Sequence, residues 1–402
     1  DIIIMYKEVD LLVKPQYVYD YENGYPLIEN SSISNFDKMP KEGTVINLFE
    51  KNKKFIAKGY HGIQNKGQGW VLSYKRNEKI NKDFFASKIQ ASIEYRADFY
   101  KGKDTNAFRV LNGEGDGVGG LTIDYFDGYY LLTWYSLGIY EFRNEIIEAL
   151  KDSVEYKGLY QKRRFDAKGQ YLDSNNDFLC GEEAPTPIIV KENGAHFAVH
   201  LDDGPMVGVF LDQREVRKTI RDTYAKDKTV LNTFSYTGAF SVFSALGGSK
   251  KNTSVDLAKR SLPKTQEQFS VNNINLDVQE IIVADIFDYF KTAIKTKKSF
   301  DMVVLDPPSF ARSKKRTFSA AKDYTSLLED AIKVTNKNGI IVASTNCSKF
   351  GIMMFRDFIS KAFKNSNQKY KLEKTFFLPK DFRVKDEYQE NSYLKVVFIR
   401  VM

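Results

Sequence analysis

The sequence has little cysteine, histidine and tryptophan, and these shortages exclude several classes of protein. Its 402 residues include two cysteines, three histidines and two tryptophans. The cysteines, Cys180 and Cys347, are too few for a disulfide framework or a cysteine-rich zinc site. We therefore expect no bound metal, and a reducing, cytoplasmic setting.

Long apolar runs are also missing. The first residues place Asp1, Lys7 and Glu8 around a short apolar run, which is neither a signal peptide nor long enough to span a bilayer. We therefore expect no membrane partner and no targeting segment.

Charge of one sign is only slightly in excess. There are 60 Lys and Arg against 52 Asp and Glu, which gives a net charge of +8. This suits a polyanion such as nucleic acid, but many unrelated proteins share it. The 30 Phe and 24 Tyr residues supply rings that either pack in cores or stack on bases.

Three regions follow one another along the chain. Residues 1–76 hold short β-like runs between Gly, Asn and Lys clusters, which predicts a small β-rich module. Residues 77–185 combine helical spacing from Asp83 with alternating strands around Gly turns, which predicts a mixed α+β domain that ends in the polar stretch 173–187. Residues 186–402 alternate strands and helices, which predicts an α/β, Rossmann-like parallel sheet.

The strand candidates of the last region end in acidic residues. We predict strands at 229–234, 252–256, 280–285, 300–306 and 339–345. Because ligands bind outside the carboxyl ends of parallel strands, Asp256, Asp285 and Asp306 are expected to point into one crevice.

The first of these strands leads into a turn that contains Gly238, followed by a helix. Asp256 comes about 20 residues later, the offset at which an acidic side chain receives ribose hydroxyls. A dinucleotide site would carry three glycines for the pyrophosphate, and only Gly238 stands in this turn. The pattern therefore predicts an adenosine-containing cofactor without phosphates, although a structural turn remains an alternative.

Asp306 is followed by Pro307 and Pro308, which force a rigid exit from the sheet. The carboxylate is thereby fixed at the crevice, where it can bind the polar edge of a heterocycle.

Taken in order, the segments SYTGAF, SVDLAKRS, ADIFDYF, LDPPSFARSKK and ASTNCSKF resemble the S-adenosylmethionine-dependent class I methyltransferases that modify large-subunit ribosomal RNA. The cytosine-5 branch with a leading PUA-like domain is the most similar. The segments GVFLDQR (208–214), LNGEGDGVGGLTIDYF (111–126) and YLKVVFIRVM (393–402) also resemble that family. The resemblance implies a PUA-like RNA-binding domain at 1–76, a middle domain at 77–185, a methyltransferase domain at 186–402 with a final antiparallel strand, and a homodimer.

The resemblance also implies roles for individual residues. Asp256 would bind the cofactor ribose, Asp285 and Ile286 would lie beside the adenine, and the turn 234–238 would lie under the methionine part. The full set of implied cofactor residues is Phe210, Gln213, Arg214, Asn232, Phe234, Ser235, Tyr236, Gly238, Asp256, Asp285, Ile286 and Asp306.

Cys347 determines which methylation is chemically credible. Carbon 5 of cytosine is a weak nucleophile, so the cytosine-5 enzymes first add a thiolate to carbon 6. Cys347 would be this nucleophile, with Lys349 and the cations 312–316 favouring its ionised form, and Asp306 would hold the base edge. A buried structural cysteine is the alternative. ASTNCSKF also resembles the guanine-modifying branch, in which Asn346 or Asp306 would position a ring nitrogen. An inactive RNA-binding protein with this fold is a further alternative.

A basic run follows the proline exit. Arg312, Lys314, Lys315 and Arg316 would lie at the mouth of the crevice, where phosphate contacts position an RNA before base contacts select it. The runs 161–164 (QKRR) and 51–54 (KNKK) are weaker candidates for RNA contacts.

Overall fold

A computed structural model describes residues 8–65, 67–165 and 177–402. The chain divides into two compact units. The first contains the described residues up to Val190 together with His200–Val207 and Lys380–Gln389, and the second contains Lys191–Val199, Gly208–Pro379 and Glu390–Met402. The separation of 1–76 from 77–185 lies inside the first unit and stays a prediction.

The first unit begins with a five-stranded sheet. Its strands are β1 (Glu8–Leu12), β2 (Leu27–Ile28), β3 (Val45–Phe49), β4 (Phe55–Gln64) and β5 (Gly67–Ser73), in the order β1-β3-β4-β5-β2. Helix α1 (Pro15–Glu22) begins with a proline in its first turn, where the missing N–H costs no hydrogen bond. The β-rich module expected here is confirmed.

A second five-stranded sheet follows in the same unit. Its helices are α2 (Lys82–Tyr95), α3 (Ala97–Lys101), α4 (Leu137–Tyr140) and α5 (Arg143–Ser153), and its strands are β6 (Ala107–Asn112), β7 (Leu121–Phe126), β8 (Tyr129–Trp134), β9 (Gly158–Arg163) and β10 (Phe178–Gly181). Asn81 caps α2 by accepting a hydrogen bond from Phe84 N at 3.0 Å. The mixed α+β pattern is confirmed. The first four residues of the expected boundary 173–187 lie outside the described residues.

The second unit is built on a seven-stranded sheet. After β11 (Ile188–Glu192) and β12 (Ala195–Val199), its strands are β13 (Thr229–Thr233), β14 (Lys251–Asp256), β15 (Gln279–Val283), β16 (Phe300–Leu305), β19 (Thr335–Thr345), β20 (Tyr370–Phe376) and β21 (Lys395–Val401). The pair β17 (Phe310–Arg312) and β18 (Thr317–Ser319) forms a separate hairpin. The order is β15-β14-β13-β16-β19-β21-β20. Strands β13 to β16 and β19 are parallel, β21 is antiparallel to β19, and β20 is antiparallel to β21.

This arrangement confirms the predicted α/β, Rossmann-like sheet and its antiparallel final strand. The helices of the unit are α6 (Arg214–Thr219), α7 (Ala239–Leu246), α8 (Ser261–Val271), α9 (Ile286–Lys295), α10 (Ala320–Lys333) and α11 (Ile352–Asn365). Residues 302–305 of β16 and 340–343 of β19 are apolar runs without alternation, and Val303, Val304 and Leu305 are fully buried. Such runs occur because helices cover both faces of a parallel sheet.

The strand order reverses between β13 and β16, which are neighbours in the sheet. Connections leave the two strands in opposite directions there, so a crevice opens at their carboxyl ends. The turn after β13 and Asp306 after β16 both lie at this edge.

Candidate active site

The turn 234–238 has a strained backbone. Phe234 has φ +52°, Tyr236 has φ +53° and Gly238 has φ +80°. A left-handed conformation is unusual for aromatic residues and persists only where the surroundings enforce it. Ser235 N donates to Val255 O at 3.1 Å, and Gly238 N donates to Ser235 O at 2.8 Å. The turn is therefore held in one shape, as a ligand-binding loop requires.

Gly238 cannot carry a side chain at this position. A Cβ atom would lie 2.6 Å from Cγ2 of Thr265 on α8, in addition to the positive φ. The glycine thus allows α7 to start close to α8 and leaves the strand-to-helix turn open for a ligand.

Asp256 joins the end of β14 to this turn. Its Oδ2 accepts a hydrogen bond from Tyr236 N at 2.9 Å, and its Oδ1 accepts one from Ala258 N at 2.9 Å. Each carboxylate oxygen has a second lone pair, so the side chain can still accept hydroxyl donors. Leu257 beside it is 61% exposed, which leaves an apolar surface at the rim.

Asp285 has a structural function that the sequence analysis did not assign to it. Its Oδ1 accepts hydrogen bonds from Phe287 N at 2.8 Å and Asp288 N at 3.2 Å, which makes it the N-cap of α9. Ile286, the first residue of that helix, is buried in the core. Their expected position beside an adenine stays a prediction.

The segment FLDQR places two side chains toward the strand ends. Gln213 is buried, and its Nε2 donates to Ser344 Oγ at 2.8 Å and lies 3.5 Å from Asp306 Oδ1. Its Oε1 is buried and accepts no hydrogen bond from any residue within 8–65, 67–165 or 177–402. Such an orphan acceptor is costly unless a ligand satisfies it. Phe210 is 44% exposed, and its ring centroid lies 5.1 Å from that of Tyr236.

Other predicted cofactor residues lie deeper. Arg214 is almost fully buried. Asn232 has no exposed surface, and its Nδ2 donates to Ser241 Oγ at 2.9 Å beneath α7. The neighbouring Arg217 forms a buried ion pair with Glu192 and donates to Phe210 O at 2.7 Å. It thereby holds the FLDQR segment in position.

Asp306 lies where β16 gives way to the two prolines. Burial, followed by the nearby carboxylate of Asp212, raises the pKa of Asp306 to about 7, while a hydrogen bond with Ser344 opposes the rise. Asp306 therefore titrates near neutral pH, where its protonated form can donate a hydrogen bond and its ionised form can accept one. Asp212, which is held by the hydroxyl of Tyr393 at 2.7 Å, was missed in the sequence analysis although it lies inside FLDQR.

Cys347 follows β19, the strand next to β16. It is buried, and its N donates to Thr345 Oγ1 at 3.2 Å. The loop before it meets the loop after Asp306, because Ser309 Oγ donates to Asn346 Oδ1 at 2.7 Å. Phe310, 62% exposed, lies just beyond. The geometry therefore connects the Asp306 and Cys347 loops at one edge of the sheet.

The basic run forms the tip of the β17–β18 hairpin, and its four cations differ in their partners. Arg316 lies 2.6 Å from Asp288, and its guanidinium carbon is 4.9 Å from the centre of the Phe287 ring. Lys315 also pairs with Asp288, at 3.4 Å. Arg312 and Lys314 are exposed and form no ion pair with any residue that the structure describes. Two cations thus fasten the hairpin to α9, and two face solvent.

The weaker basic run 161–164 is partly corrected by the structure. Lys162 is buried, and its Nζ lies 2.7 Å from Asp177 Oδ2. A lysine enclosed in an ion pair cannot contact RNA directly. Among the described residues there is no group of three or more His, Cys, Asp or Glu that could hold a metal ion, and no helix is long and apolar enough to cross a membrane.

These features fit S-adenosylmethionine. The fixed turn leaves room for a ligand, Asp256 can accept ribose hydroxyls, and the orphan Gln213 Oε1 offers a buried acceptor. No glycine-rich cradle for a pyrophosphate is present in the turn.

Comparisons with known proteins agree with this fit. A family model described as S-adenosylmethionine-dependent methyltransferase matches residues 113–375, and one described as a PUA-like domain matches residues 11–74. The chain is 51% identical over 392 residues to YwbD of Bacillus subtilis (strain 168), whose name assigns it provisionally to the ribosomal RNA large subunit methyltransferases. That match covers 97% of this chain and 99% of YwbD.

Further relatives extend over most of the chain. Identity to ribosomal RNA large subunit methyltransferase I of Aliivibrio fischeri (strain MJ11) is 27% over 379 residues, covering 94% of this chain and 96% of that protein. The crystal structure of SMU.776 complexed with SAH, described provisionally as a methyltransferase, has a TM-score of 0.90 and 36% identity, and covers 98% of this chain and 100% of its own. A Streptococcus mutans structure described provisionally as an S-adenosylmethionine-dependent methyltransferase has a TM-score of 0.88 and 35% identity, with the same coverage. The chain belongs to the family of S-adenosylmethionine-dependent methyltransferases.

Proposed function

We propose that this enzyme methylates large-subunit ribosomal RNA at carbon 5 of a cytosine, with Cys347 as nucleophile and S-adenosylmethionine as methyl donor. The names of the relatives support the RNA substrate. The observation that carries the choice of base is the joining of a proton-bearing Asp306 and the Cys347 loop at neighbouring strand ends.

The cofactor supplies an electrophilic methyl group when it is bound. Asp256 would hold its ribose, the turn 234–238 would support its methionine part, and Gln213 Oε1 would accept one of its donors. Phe210 and Tyr236 would cover it with their rings. With the cofactor bound, these side chains would exclude water and hold it at the same sheet edge as Asp306.

Asp306 and Cys347 then perform the activation of the base. The Cys347 thiolate adds to carbon 6, and the electron pair of the 5,6 double bond moves through the ring while Asp306 donates its proton to ring nitrogen 3. Carbon 5 thereby becomes nucleophilic and would take the methyl group from the sulfonium donor, whose carbon–sulfur bond breaks with its electron pair remaining on sulfur as a neutral thioether. Loss of the carbon-5 proton to solvent restores the double bond and releases the thiolate, and Asp306 regains its proton from nitrogen 3.

The target base has to leave its stack to reach this site. Phe310 is positioned to stack on it, since aromatic rings commonly receive unstacked bases. The exposed cations Arg312 and Lys314 would contact phosphates beside it, and the PUA-like segment would add RNA contacts.

A ring nitrogen is the second candidate target, and one observation favours it. Cys347 is buried whereas Asn346 is exposed and bonded to Ser309. Methylation of a guanine, or of a ring nitrogen in another base, would need Asp306 and Asn346 only to position the base.

Complementation distinguishes the two targets. Large-subunit RNA from deletion cells carrying wild-type protein, Cys347→Ala or the control Cys180→Ala would be compared by mass spectrometry of nucleosides. We expect one 5-methylcytidine to be missing in the deletion and in Cys347→Ala, and to be restored by Cys180→Ala. Retention of 5-methylcytidine in Cys347→Ala, with cofactor affinity unchanged, would exclude the covalent mechanism. If the deletion instead lacks a nucleoside methylated on a ring nitrogen, and Cys347→Ala restores it, the second target is supported.

The homodimer and the cytoplasmic setting are part of the same proposal. The reducing setting follows from the two free cysteines and the RNA substrate. Size-exclusion chromatography with light scattering would test the dimer.

A further inference from the structure

Lys395 is a buried lysine that the proposed mechanism has not used. It begins β21 opposite Thr345 of β19, and 3% of its surface is exposed. Its Nζ donates to Cys347 O at 2.5 Å and to Phe350 O at 2.8 Å. The same Nζ lies 5.0 Å from the centre of the Phe350 ring. In the parts of the chain that the structure describes, no carboxylate forms an ion pair with it.

A buried ammonium without a counter-ion is unfavourable. Transfer of a charge from water into a protein interior is costly unless an opposite charge compensates it, and carbonyl dipoles and a ring face compensate it only in part. Burial accordingly lowers the pKa of Lys395 to about 8, and only its interaction with Cys347 acts in the opposite direction. An anion that forms beside this ammonium is therefore stabilised.

The two carbonyl contacts also define the shape of the loop 346–350. Cys347 is fixed on both sides, since its N donates to Thr345 Oγ1 and its O accepts from Lys395. Phe350 is fixed by its own carbonyl contact and by packing against Phe355 and Phe358. One side chain from the last strand thus clamps both ends of the loop that carries the thiol.

The cations expected from the sequence to assist Cys347 are less well placed. Arg316 and Lys315 are paired with Asp288 on α9. Lys349 lies in the loop but is exposed to solvent, where screening weakens its field. On the neighbouring elements, Tyr324 of α10 donates its hydroxyl to Ser344 O and remains neutral because its pKa is raised, above all by burial.

We propose that Lys395 is a positioning residue: it clamps the loop 346–350 and supplies the cation beside which the Cys347 thiolate forms. The proposal rests on the proposed function, in which Cys347 reacts as a thiolate. Asp306, at the end of the neighbouring strand, is a carboxyl group and not a cation: it is neutral below about pH 7 and negative above it.

Thiolate formation can be measured without RNA or cofactor. In a Cys180→Ser background Cys347 is the only thiol, and its thiolate absorbance in the ultraviolet can be titrated against a Cys180→Ser/Cys347→Ser blank. Lys395→Met keeps an unbranched side chain only one atom shorter and removes the charge. Lys349→Met is the matched control, because it removes a charge from the same loop on its exposed side.

We expect Lys395→Met to move the midpoint of the thiolate titration upward by about one pH unit. Near neutral pH this shift makes the thiolate fraction about tenfold smaller. The control Lys349→Met should leave the midpoint within about 0.3 unit. In methylation assays kcat should fall about tenfold for Lys395→Met while KM for RNA is unchanged. Compared with Lys395→Met, Lys395→Arg should restore a large part of the titration midpoint and of kcat, because it keeps the charge.

An unchanged midpoint in folded Lys395→Met, or an equal shift in Lys349→Met, would overturn the proposal. If Lys395→Met does not fold, the reciprocal measurement replaces it. The interaction is mutual, so Cys347→Ser should lower the pKa of Lys395, followed by NMR of lysine labelled at Cε and assigned with Lys395→Arg. An unchanged lysine titration would equally overturn it.

These outcomes are separable from those of the proposed function. Retained methylation in Cys347→Ala would remove the covalent mechanism but would not alter the thiolate titration. A normal thiolate titration in Lys395→Met would remove the positioning role and leave the mechanism intact.

Discussion

Asp306→Asn is predicted to stabilise the second unit, and to do so more at alkaline than at acid pH. Burial and then the Asp212 carboxylate raise the pKa of Asp306 to about 7 in the folded protein. An aspartate in an unfolded chain has a pKa of about 3.9. Between these values the folded state binds one proton more than the unfolded state. The free energy of unfolding therefore falls as the pH rises through this window, and the full loss is reached above about pH 7.

The structure sets the size of this effect. A difference of about 3 pKa units corresponds to about 4 kcal/mol at 1.36 kcal/mol per unit. Asp306 retains some exposed surface, and water at the crevice lowers the cost of its charge, so we expect a gain of about 2–3 kcal/mol at about pH 8. At about pH 5 only about a third of that gain should remain, because pH 5 lies only about one unit above the pKa of an unfolded aspartate and the stability difference accumulates over the whole window up to about pH 7.

Hydrogen exchange measured by mass spectrometry can follow the second unit separately, with peptides from β13 and β16. Both tryptophans, Trp70 and Trp134, lie in the first unit, so their fluorescence during urea unfolding provides an internal control. We expect the fluorescence transition to be unchanged by Asp306→Asn. Cofactor and RNA are omitted, since ligand binding would add its own stabilisation.

Asp301, at the start of the same strand, is the matched control for this experiment. Burial alone would raise the pKa of Asp301, but hydrogen bonds from Thr229 and Asn336 outweigh burial and lower it. Asp301→Asn should therefore destabilise the unit, with a loss that grows as the pH rises above the acid range. An equal gain for Asp306→Asn at both pH values would show that Asp306 does not retain its proton, and would refute the reasoning.

Two further predictions concern the turn and the hairpin. Gly238→Ala should destabilise the second unit by about 2–3 kcal/mol because of the positive φ and the clash with Thr265, and Thr265→Ser, which removes Cγ2, should recover part of the loss in thermal unfolding. The double substitution Arg312→Ala/Lys314→Ala should weaken RNA binding in filter or fluorescence titrations and leave cofactor affinity unchanged. The slope of log K against log salt should become smaller in magnitude by about 1–2. An unchanged slope would show that neither cation contacts phosphate.

The strands of the second unit could be predicted from the sequence because their signal is local. Four of the five predicted strands contain a short apolar run, and 252–256 does not; after several of the five the sequence changes abruptly to carboxylates, glycine or proline, as at Gly238 and Pro307. The predicted strand 280–285 ended two residues too late, since β15 ends at Val283 and Asp285 caps the next helix. An aspartate directly before a helix is a common N-cap, but the sequence analysis assigned Asp285 only to ligand binding.

The contacts of charged residues could not be predicted in this way. The sequence of a run of four cations does not show which of them face solvent and which form ion pairs. Only the fold brings Arg316 close to Asp288. Lys395 meets Cys347 because β19 and β21 pair in antiparallel register, although the two residues are far apart in the chain. The proximity of Asp212 to Asp306 could not be predicted from the sequence either, because it depends on how Arg217 holds the FLDQR segment.

Three unfavourable local features of the second unit share one location. The left-handed aromatic residues Phe234 and Tyr236, the proton-retaining Asp306 and the buried ammonium of Lys395 all lie at or just beyond the carboxyl edge of the sheet. Each costs free energy that a relaxed turn, an asparagine or a methionine would not. Packing elsewhere in the sheet has to offset these costs together. Their concentration at this edge of the sheet supports the proposed site on energetic grounds that do not depend on any sequence motif.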